Sequence, residues 1–293
     1  MFIVKYKKIF VSISATLVLL SLVSIAIFGL KPGIDFKGGS LLEVEYTIVR
    51  PAQSEVENSL KKLSVGQALI QPTGDTGYSI KMRDITDKER TDIMAALGSD
   101  VIEKSFTSIG PSVGSELVRK SVISFILVAL GIIFWIAFSF RKVSKPVSSW
   151  KYGLIAIVSL IHDIMIPVGV FAFLSTVYGV EMDTLFVVAI LTILGLSVSD
   201  TIVVFDRIRE NIRVGHFKTF EETVGRSLNQ VFARSIATSS TVILALLALV
   251  FFGPDSTKVF ALMLTAGMFF GTYSSIFLAS PMLVLVQNWQ KKK

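Results

Sequence analysis

Four ionisable side chains lie within or at the edge of strongly apolar sequence: the adjacent pair His162–Asp163, then Asp200 and Arg234. Charge is expensive in hydrocarbon, so an ionisable residue there is a functional candidate by default. A buried carboxylate is costly when ionised, and a nearby guanidinium offsets that cost. A site balanced between the two can load a proton from one side and release it to the other. Moving one charge through a membrane potential is worth about 2.3 kcal/mol per 100 mV, enough to bias a conformational equilibrium by more than about tenfold. Ser197, Ser199 and Thr201 flank Asp200 and supply hydroxyls that could hold water or orient the carboxyl. A structural reading stands beside each candidate. Asp200 could bridge two helices by hydrogen bonding, His162–Asp163 could pair helices near a kink at Pro167, and Arg234 could be a snorkelling anchor. With no cysteine and only two histidines, His162 and His216, the chain offers no disulfide, no thiolate metal site and little for a His-rich metal centre.

The elements that carry these residues follow from hydropathy. Of 293 residues 52% are hydrophobic and 17% charged, whereas a soluble domain carries about 25% charged residues. The apolar residues gather in six stretches long enough to cross a bilayer as helix: 9–30, 121–140, 152–177, 184–205, 236–252 and 259–286. The first is too long for a signal-peptide core, and no small-residue cleavage site follows it before Lys31-Pro32-Gly33. Lys5, Lys7, Lys8, Arg141, Lys142, Lys145, Lys151, Arg207, Arg209, Arg213, Lys218, Arg226 and Lys291 to Lys293 all fall on one side. The opposite short loops hold Glu181, Asp183, Asp255 and Lys258. The positive-inside rule therefore predicts both termini in the cytoplasm and residues 31–120 outside. The net charge of +7 is then a topological signal, and nucleic acid is not an expected partner. At about 1.5 Å per residue Asp200 lies roughly 10 Å inside the cytoplasmic edge and Asp163 about 18 Å, near the midplane. Arg234 is expected at the opening of the fifth span, within reach of Asp200.

Between the first two spans the hydrophobic period changes. Leu42, Val44 and Tyr46 alternate with Glu43 and Glu45, the pattern of a half-buried strand. Ser54 and Glu57 form a capping-box pattern ahead of Val56, Leu60 and Leu63 on one helical face. Strands follow at 67–71 and 78–82, separated by turn chemistry over 72–77. Thr86 and Glu89 repeat the capping box, Ile93, Met94 and Leu97 give the buried face, and Gly98 stops the helix. A last strand spans 101–107. The order strand–helix–strand–strand–helix–strand predicts a small α+β, ferredoxin-like domain. No catalytic constellation falls in it, so a binding or moving module is expected and not an enzyme. Lys31-Pro32-Gly33 and Gly110-Pro111-Ser112-Val113-Gly114 flank it as hinges or rigid turns. The expected division is 1–30, the first transmembrane helix; 31–114, the βαββαβ domain; and 115–293, five further helices. Gly267-x-x-x-Gly271, with Ser274 and Ser275, predicts close packing of the last helix on a neighbour.

Three segments carry a resemblance. Gly33-Ile34-Asp35-Phe36-Lys37-Gly38-Gly39 is similar to the "GIDFxGG" signature of the SecD and SecF subunits. Gly110 to Gly114 is similar to the segment leading out of the SecF extracytoplasmic domain. Gly195 to Asn211, containing Ser199-Asp200-Thr201 and Phe205-Asp206-Arg207, resembles the SecF fourth-helix motif and echoes the resistance–nodulation–division transporters. The resemblance covers essentially the whole chain, and a six-helix subunit with a short external domain resembles SecF, since SecD has a larger one. It implies a multi-pass protein of the bacterial cytoplasmic membrane that, with a SecD partner and the SecYEG channel, uses the proton-motive force to help complete export of unfolded preproteins after SecA. It implies Asp200 as the proton-responsive carboxylate, Arg234 as its basic partner on the next helix, and His162–Asp163 as a further pair. Gly33, Asp35, Gly38 and Gly39 are implied as a structural motif. Membrane lipid is the surrounding partner, and no cofactor or metal is implied. Two positions depart from the family: Ser199, where asparagine is common, and Lys37, in place of a small hydroxyl residue.

Competing readings have their own signatures. Half of a proton-driven small-molecule or lipid exporter is disfavoured because such proteins usually carry two large external domains on one longer chain. An intramembrane aspartyl protease would need Asp163 and Asp200 to share a proton, and neither sits in a Gly-x-Gly-Asp pattern. A passive membrane scaffold would tolerate loss of Asp200. A lone membrane carboxylate among hydroxyls suits H⁺ or Na⁺.

Overall fold

A computed structural model describes residues 2–63, 65–66, 68–139, 147–215 and 217–291. Gln67, Phe140, Arg141, Lys142, Lys145, His216, Lys292 and Lys293, which figure in the expectations above, lie outside the described residues. In chain order the elements are α1 (Phe2–Lys5), α2 (Lys7–Phe28), α3 (Ile34–Lys37), β1 (Gly39–Tyr46), α4 (Gln53–Lys61), β2 (Leu69–Thr73), β3 (Gly77–Met82), α5 (Asp87–Leu97), β4 (Val101–Ile109), α6 (Pro111–Ser139), α7 (Ser149–Tyr178), α8 (Thr184–Val214), α9 (Phe220–Phe252), α10 (Asp255–Ser274), a π turn (Ser275–Ala279) and α11 (Ser280–Lys291). They divide into two compact units. One comprises residues 1–31, 124–180 and 185–293; the other comprises 32–123 and 181–184.

The smaller unit is a four-stranded antiparallel sheet in the order β2-β3-β1-β4. This is the ferredoxin-like arrangement that the alternation of helix and strand patterns predicts. Leu42, Val44 and Tyr46 point to one face of β1 and are buried, as are Ile80 and Met82 of β3. Val56 and Leu60 of α4 and Ile93 of α5 close over that face to complete the core. β2 runs through Pro72, which the sequence assigns to a turn. Among the described residues it pairs with β3 alone, and an edge strand tolerates the missing N–H of proline. The Ser54–Glu57 capping box does not form. Ala52 is the N-cap, with no side-chain cap, because Tyr78 Oη donates to Pro51 O (2.7 Å) and fixes the chain entry ahead of Ser54. The second box does form: Thr86 N donates to Glu89 Oε2 (2.8 Å) and Glu89 N donates to Thr86 Oγ1 (3.4 Å).

Among the described residues the larger unit is helical, and six helices are long and apolar enough to cross a membrane. Each predicted span coincides with such a helix over most of its length; α2 ends at Phe28, short of the expected 30, while several helices outrun their spans. α8 continues past Phe205 to Val214, and α9 begins at Phe220 instead of Ile236. Hydropathy locates the apolar stretch, whereas the helix continues wherever its backbone bonds are satisfied. Thr219 caps α9 through Glu222 N (3.1 Å), well before the apolar stretch begins. Small residues set the packing. A Cβ on Gly169 of α7 would lie 2.6 Å from Ser21 Cα of α2, and one on Gly267 of α10 would lie 2.3 Å from Ile193 Cγ1 of α8. The close approach expected of Gly267 and Gly271 is therefore made against α8.

Two expectations follow. Arg83, and after it the backbone N–H of Thr86, hold the Glu89 carboxyl down to about 2. An unfolded glutamate titrates near about 4.3, so this contribution is complete above that pH and is lost as pH falls towards about 2. Pulse proteolysis of the full protein should show this acid sensitivity, and Glu89→Gln should remove that part of the slope. Gly169→Ala forces apart α2 and α7 and should cost about 1–3 kcal/mol, read as a lower thermal midpoint in detergent.

Candidate functional site

Four helices position His162, Asp163 and Asp200 of the larger unit. α7 carries His162 and Asp163, both essentially inaccessible to solvent. His162 Nδ1 pairs with Asp163 Oδ1 at 2.8 Å. Asp163 Oδ2 accepts hydrogen bonds from Ser197 of α8 and from Ser274 of α10 (2.7 Å). Both oxygens of Asp163 are thus committed. The His162 ring stacks on Tyr273, centroids 6.0 Å apart. His162 Nε2 and Tyr273 Oη are buried and take no hydrogen bond among the described residues.

Asp200 stands three residues after Ser197, on the same face of α8. Its Oδ1 accepts from Ser235 Oγ of α9 at 2.7 Å. Its Oδ2 is buried and takes no hydrogen bond among the described residues. The carboxylate borders a cavity of about 170 Å³ lined also by Ser197, Arg234, Ser235, Gly271 and Thr272. That is room for several water molecules. Arg234 is exposed on its helix and forms no ion pair with Asp200 among the described residues. The sequence expects Arg234 to open the fifth helix, but α9 starts at Phe220 and Arg234 lies well inside it.

Gly271 matters to this geometry because a Cβ there would lie 3.2 Å from Ser197 Cβ. Beyond it, the π turn at Ser275–Ala279 interrupts the last transmembrane helix, closed in part by Ser280 Oγ donating to Ser275 O (3.0 Å). Its first residue pairs with Thr201 of α8 (2.8 Å) while Ser274, just before it, faces Asp163. π turns within helices are frequent at functional sites. Sequence reasoning assigned Ser274 and Ser275 to packing alone and did not single out Ser235, Ser239 or Thr272. Ser239 and Thr272 pair with each other across α9 and α10. The available signal was a serine- and threonine-rich face on spans that need no hydroxyls to cross a membrane.

The glycine-rich motif lies in the smaller unit. Gly33 N donates to Met182 O (2.8 Å), and Asp35 Oδ2 accepts from both the N and Oγ1 of Thr184 (2.7 Å each). Thr184 is the first residue of α8, so Asp35 satisfies a free N–H at that helix start. Gly38 and Gly39 have φ of +79° and +138°, and a Cβ on them would lie 2.9 Å from Pro111 Cα and 2.7 Å from Met82 O. Only glycine fits both the backbone conformation and the space.

The model of the family "Protein export membrane protein SecD/SecF, C-terminal" matches residues 89–289, and that of the "SecD/SecF GG Motif" matches residues 23–47. The chain belongs to the SecD/SecF family. The protein translocase subunit SecF of Thermobaculum terrenum is 40% identical over 99% of this chain and 94% of its own length. That of Anaerolinea thermophila is 36% identical over 98% and 96%. Among solved structures, SecDF from Thermus thermophilus superposes with a TM-score of 0.83 at 29% identity over 97% of this chain. This chain spans 38% of the length of that SecDF chain. A second SecDF structure, in the super-membrane-facing form, gives a TM-score of 0.70. The family membership and the six apolar helices make this a multi-pass membrane protein of the bacterial cytoplasmic membrane.

The geometry speaks against the protease alternative. Asp163 and Asp200 share no hydrogen bond among the described residues, and each is held by separate hydroxyls. Among the described residues no group of acidic, histidine or cysteine side chains could hold a metal ion. Asp163→Ala leaves His162, Ser197 and Ser274 without their acceptor and should destabilise by about 2–3 kcal/mol. Asp200→Ala frees a single hydroxyl and should cost about 1 kcal/mol. Thermal unfolding of the two variants in detergent gives the comparison.

Proposed function

We propose that this chain is the SecF-type subunit of a Sec preprotein translocase, working with a SecD partner and the SecYEG channel to complete export of unfolded preproteins. Its relatives named as translocase SecF subunits, which align over nearly its whole length, support this reading against the half-exporter alternative. Energy comes from the proton-motive force. Asp200 is the proton-responsive carboxylate, Arg234 biases its charge from across the shared cavity, and the His162–Asp163 pair extends the relay. Both termini are cytoplasmic, as the distribution of lysine and arginine implies. The domain at residues 31–114 is then extracytoplasmic and is the part that moves, and Gly33, Asp35, Gly38 and Gly39 shape its junction. The chain carries out no catalytic turnover.

The observation that carries the mechanism is the asymmetry of Asp200. One oxygen is held by Ser235, and the other is buried, takes no hydrogen bond among the described residues and lies beside a cavity large enough for water. Such an oxygen can take up a proton without breaking a bond that holds the helices together. Sodium is the competing ion, because the same cavity is rich in hydroxyl oxygens.

Cells whose only SecF is this protein or its Asp200→Asn variant should differ sharply in preprotein secretion, with SecD and both subunit levels checked by blot. Secretion should fall about tenfold or more while the complex accumulates normally. Normal secretion by the variant would refute the mechanism, and the same assay with the proton or sodium gradient collapsed identifies the ion.

A further inference from the structure

Ser197 occupies a position that no other residue of the site shares. Its hydroxyl donates to Asp163 Oδ2, and the same side chain lines the cavity that Asp200 borders. Ser274 donates to the same Asp163 oxygen but does not line that cavity. Asp163 itself is completely buried and has no face on the cavity. Among the described residues, Ser197, one turn before Asp200, is the side chain that both hydrogen-bonds to Asp163 and lines the cavity bordered by Asp200.

We propose that Ser197 is the proton bridge between the cavity at Asp200 and the buried Asp163–His162 pair. The inference rests on Asp200 being a proton-responsive site. A hydroxyl has one proton to give and two lone pairs to receive with. In the step assigned to it, Ser197 Oγ accepts a proton from protonated water in the cavity while its own proton passes to Asp163 Oδ2. One O–H bond breaks in the protonated water and one at Ser197, while one forms at Ser197 and one at Asp163. The cavity loses a positive charge and Asp163 loses a negative one, so charge and atoms balance. The serine ends neutral, as it began, with its hydrogen bond reversed.

The arrangement around Ser197 suits the step. Gly271 stands opposite it, and the space a side chain would take there is left to the hydroxyl's surroundings. The charged and titratable groups facing this path are His162 and Tyr273 beside Asp163, and Arg234 beside Asp200. His162 Nε2, buried and uncommitted among the described residues, is the next atom that can exchange a proton once one has reached Asp163 Oδ1 or Oδ2.

The matched serines provide the test. Ser197→Ala and Ser274→Ala each remove one hydrogen bond to the same oxygen, and Ser274→Ala also removes one to Gly271 O, so a purely structural role predicts no greater loss in Ser197→Ala than in Ser274→Ala. The complex with SecD is reconstituted in vesicles, and proton uptake driven by an imposed gradient is followed with an entrapped pH dye, alongside the thermal midpoint. We expect Ser197→Ala to lower uptake by about a hundredfold, Ser197→Thr to restore most of it, and Ser274→Ala to shift the thermal midpoint with much less loss of uptake. Equal losses in the two alanine variants, or near-normal uptake in Ser197→Ala, would overturn the bridge. Asp200→Asn is the reference arm. If it abolishes uptake while Ser197→Ala does not, the bridge fails and the proton-responsive role of Asp200 stands. If Asp200→Asn conducts normally, the proposed function fails as well.

Discussion

A carboxylate with no partner inside hydrocarbon costs several kcal/mol, and water is not there to supply the missing bonds. The larger unit is organised around that penalty. Asp163 is surrounded by three groups from three helices, and every one of them satisfies an oxygen that would otherwise be stranded. The hydroxyls that do this come from residues that also pack at small-residue contacts, so satisfying the acid and joining the helices are one act. Asp200 is treated differently: one oxygen is held and one is left open beside a cavity. A fully bonded carboxylate is tied into the helix packing, whereas a half-bonded one beside a cavity that also carries hydroxyls has an oxygen facing that space.

Close approach is the second requirement, and glycine supplies it. Gly267 and Gly271 bring α10 against α8 so that Ser197 and Ser274 can point at one oxygen. Gly169 does the same for α7 against α2, where Ser24 Oγ donates to Gly169 O (2.7 Å). In lipid, packing and interhelical hydrogen bonds replace the hydrophobic drive that holds soluble helices together. The π turn adds a local change of phase, which lets two consecutive serines serve different partners on neighbouring helices.

The smaller unit obeys the rules of a water-soluble fold. Its sheet buries one face under two amphipathic helices, and its surface is laced with ion pairs such as Arg90–Glu103, whose Nη2–Oε1 distance is 2.5 Å. Such exposed pairs add little stability each, so the core formed by Leu42, Val44, Ile80, Leu60 and Ile93 carries the domain. The glycine motif at its start is shaped by backbone needs: positive φ at two glycines and a carboxylate that completes the first turn of a long helix.

Hydropathy and periodicity made the architecture legible from sequence. Six apolar stretches are visible because spanning hydrocarbon demands about 20 apolar residues, and the switch from period 3.6 to period 2 exposes the strands of the small domain. The candidacy of Asp200, Asp163 and His162 was legible for the same reason, since charge within apolar sequence is rare and costly. Helix ends were not, because α8 and α9 continue through polar sequence that hydropathy ignores. Which hydroxyl meets which acid was not legible either. Ser235, Ser274 and Ser197 are separated from their partners by 35, 111 and 34 residues, and a serine in an apolar span bonds to its own helix as readily as to a neighbour. Only the tertiary packing, set by glycines that admit close contact, decides that Asp163 is closed on all sides and that Asp200 keeps one oxygen open.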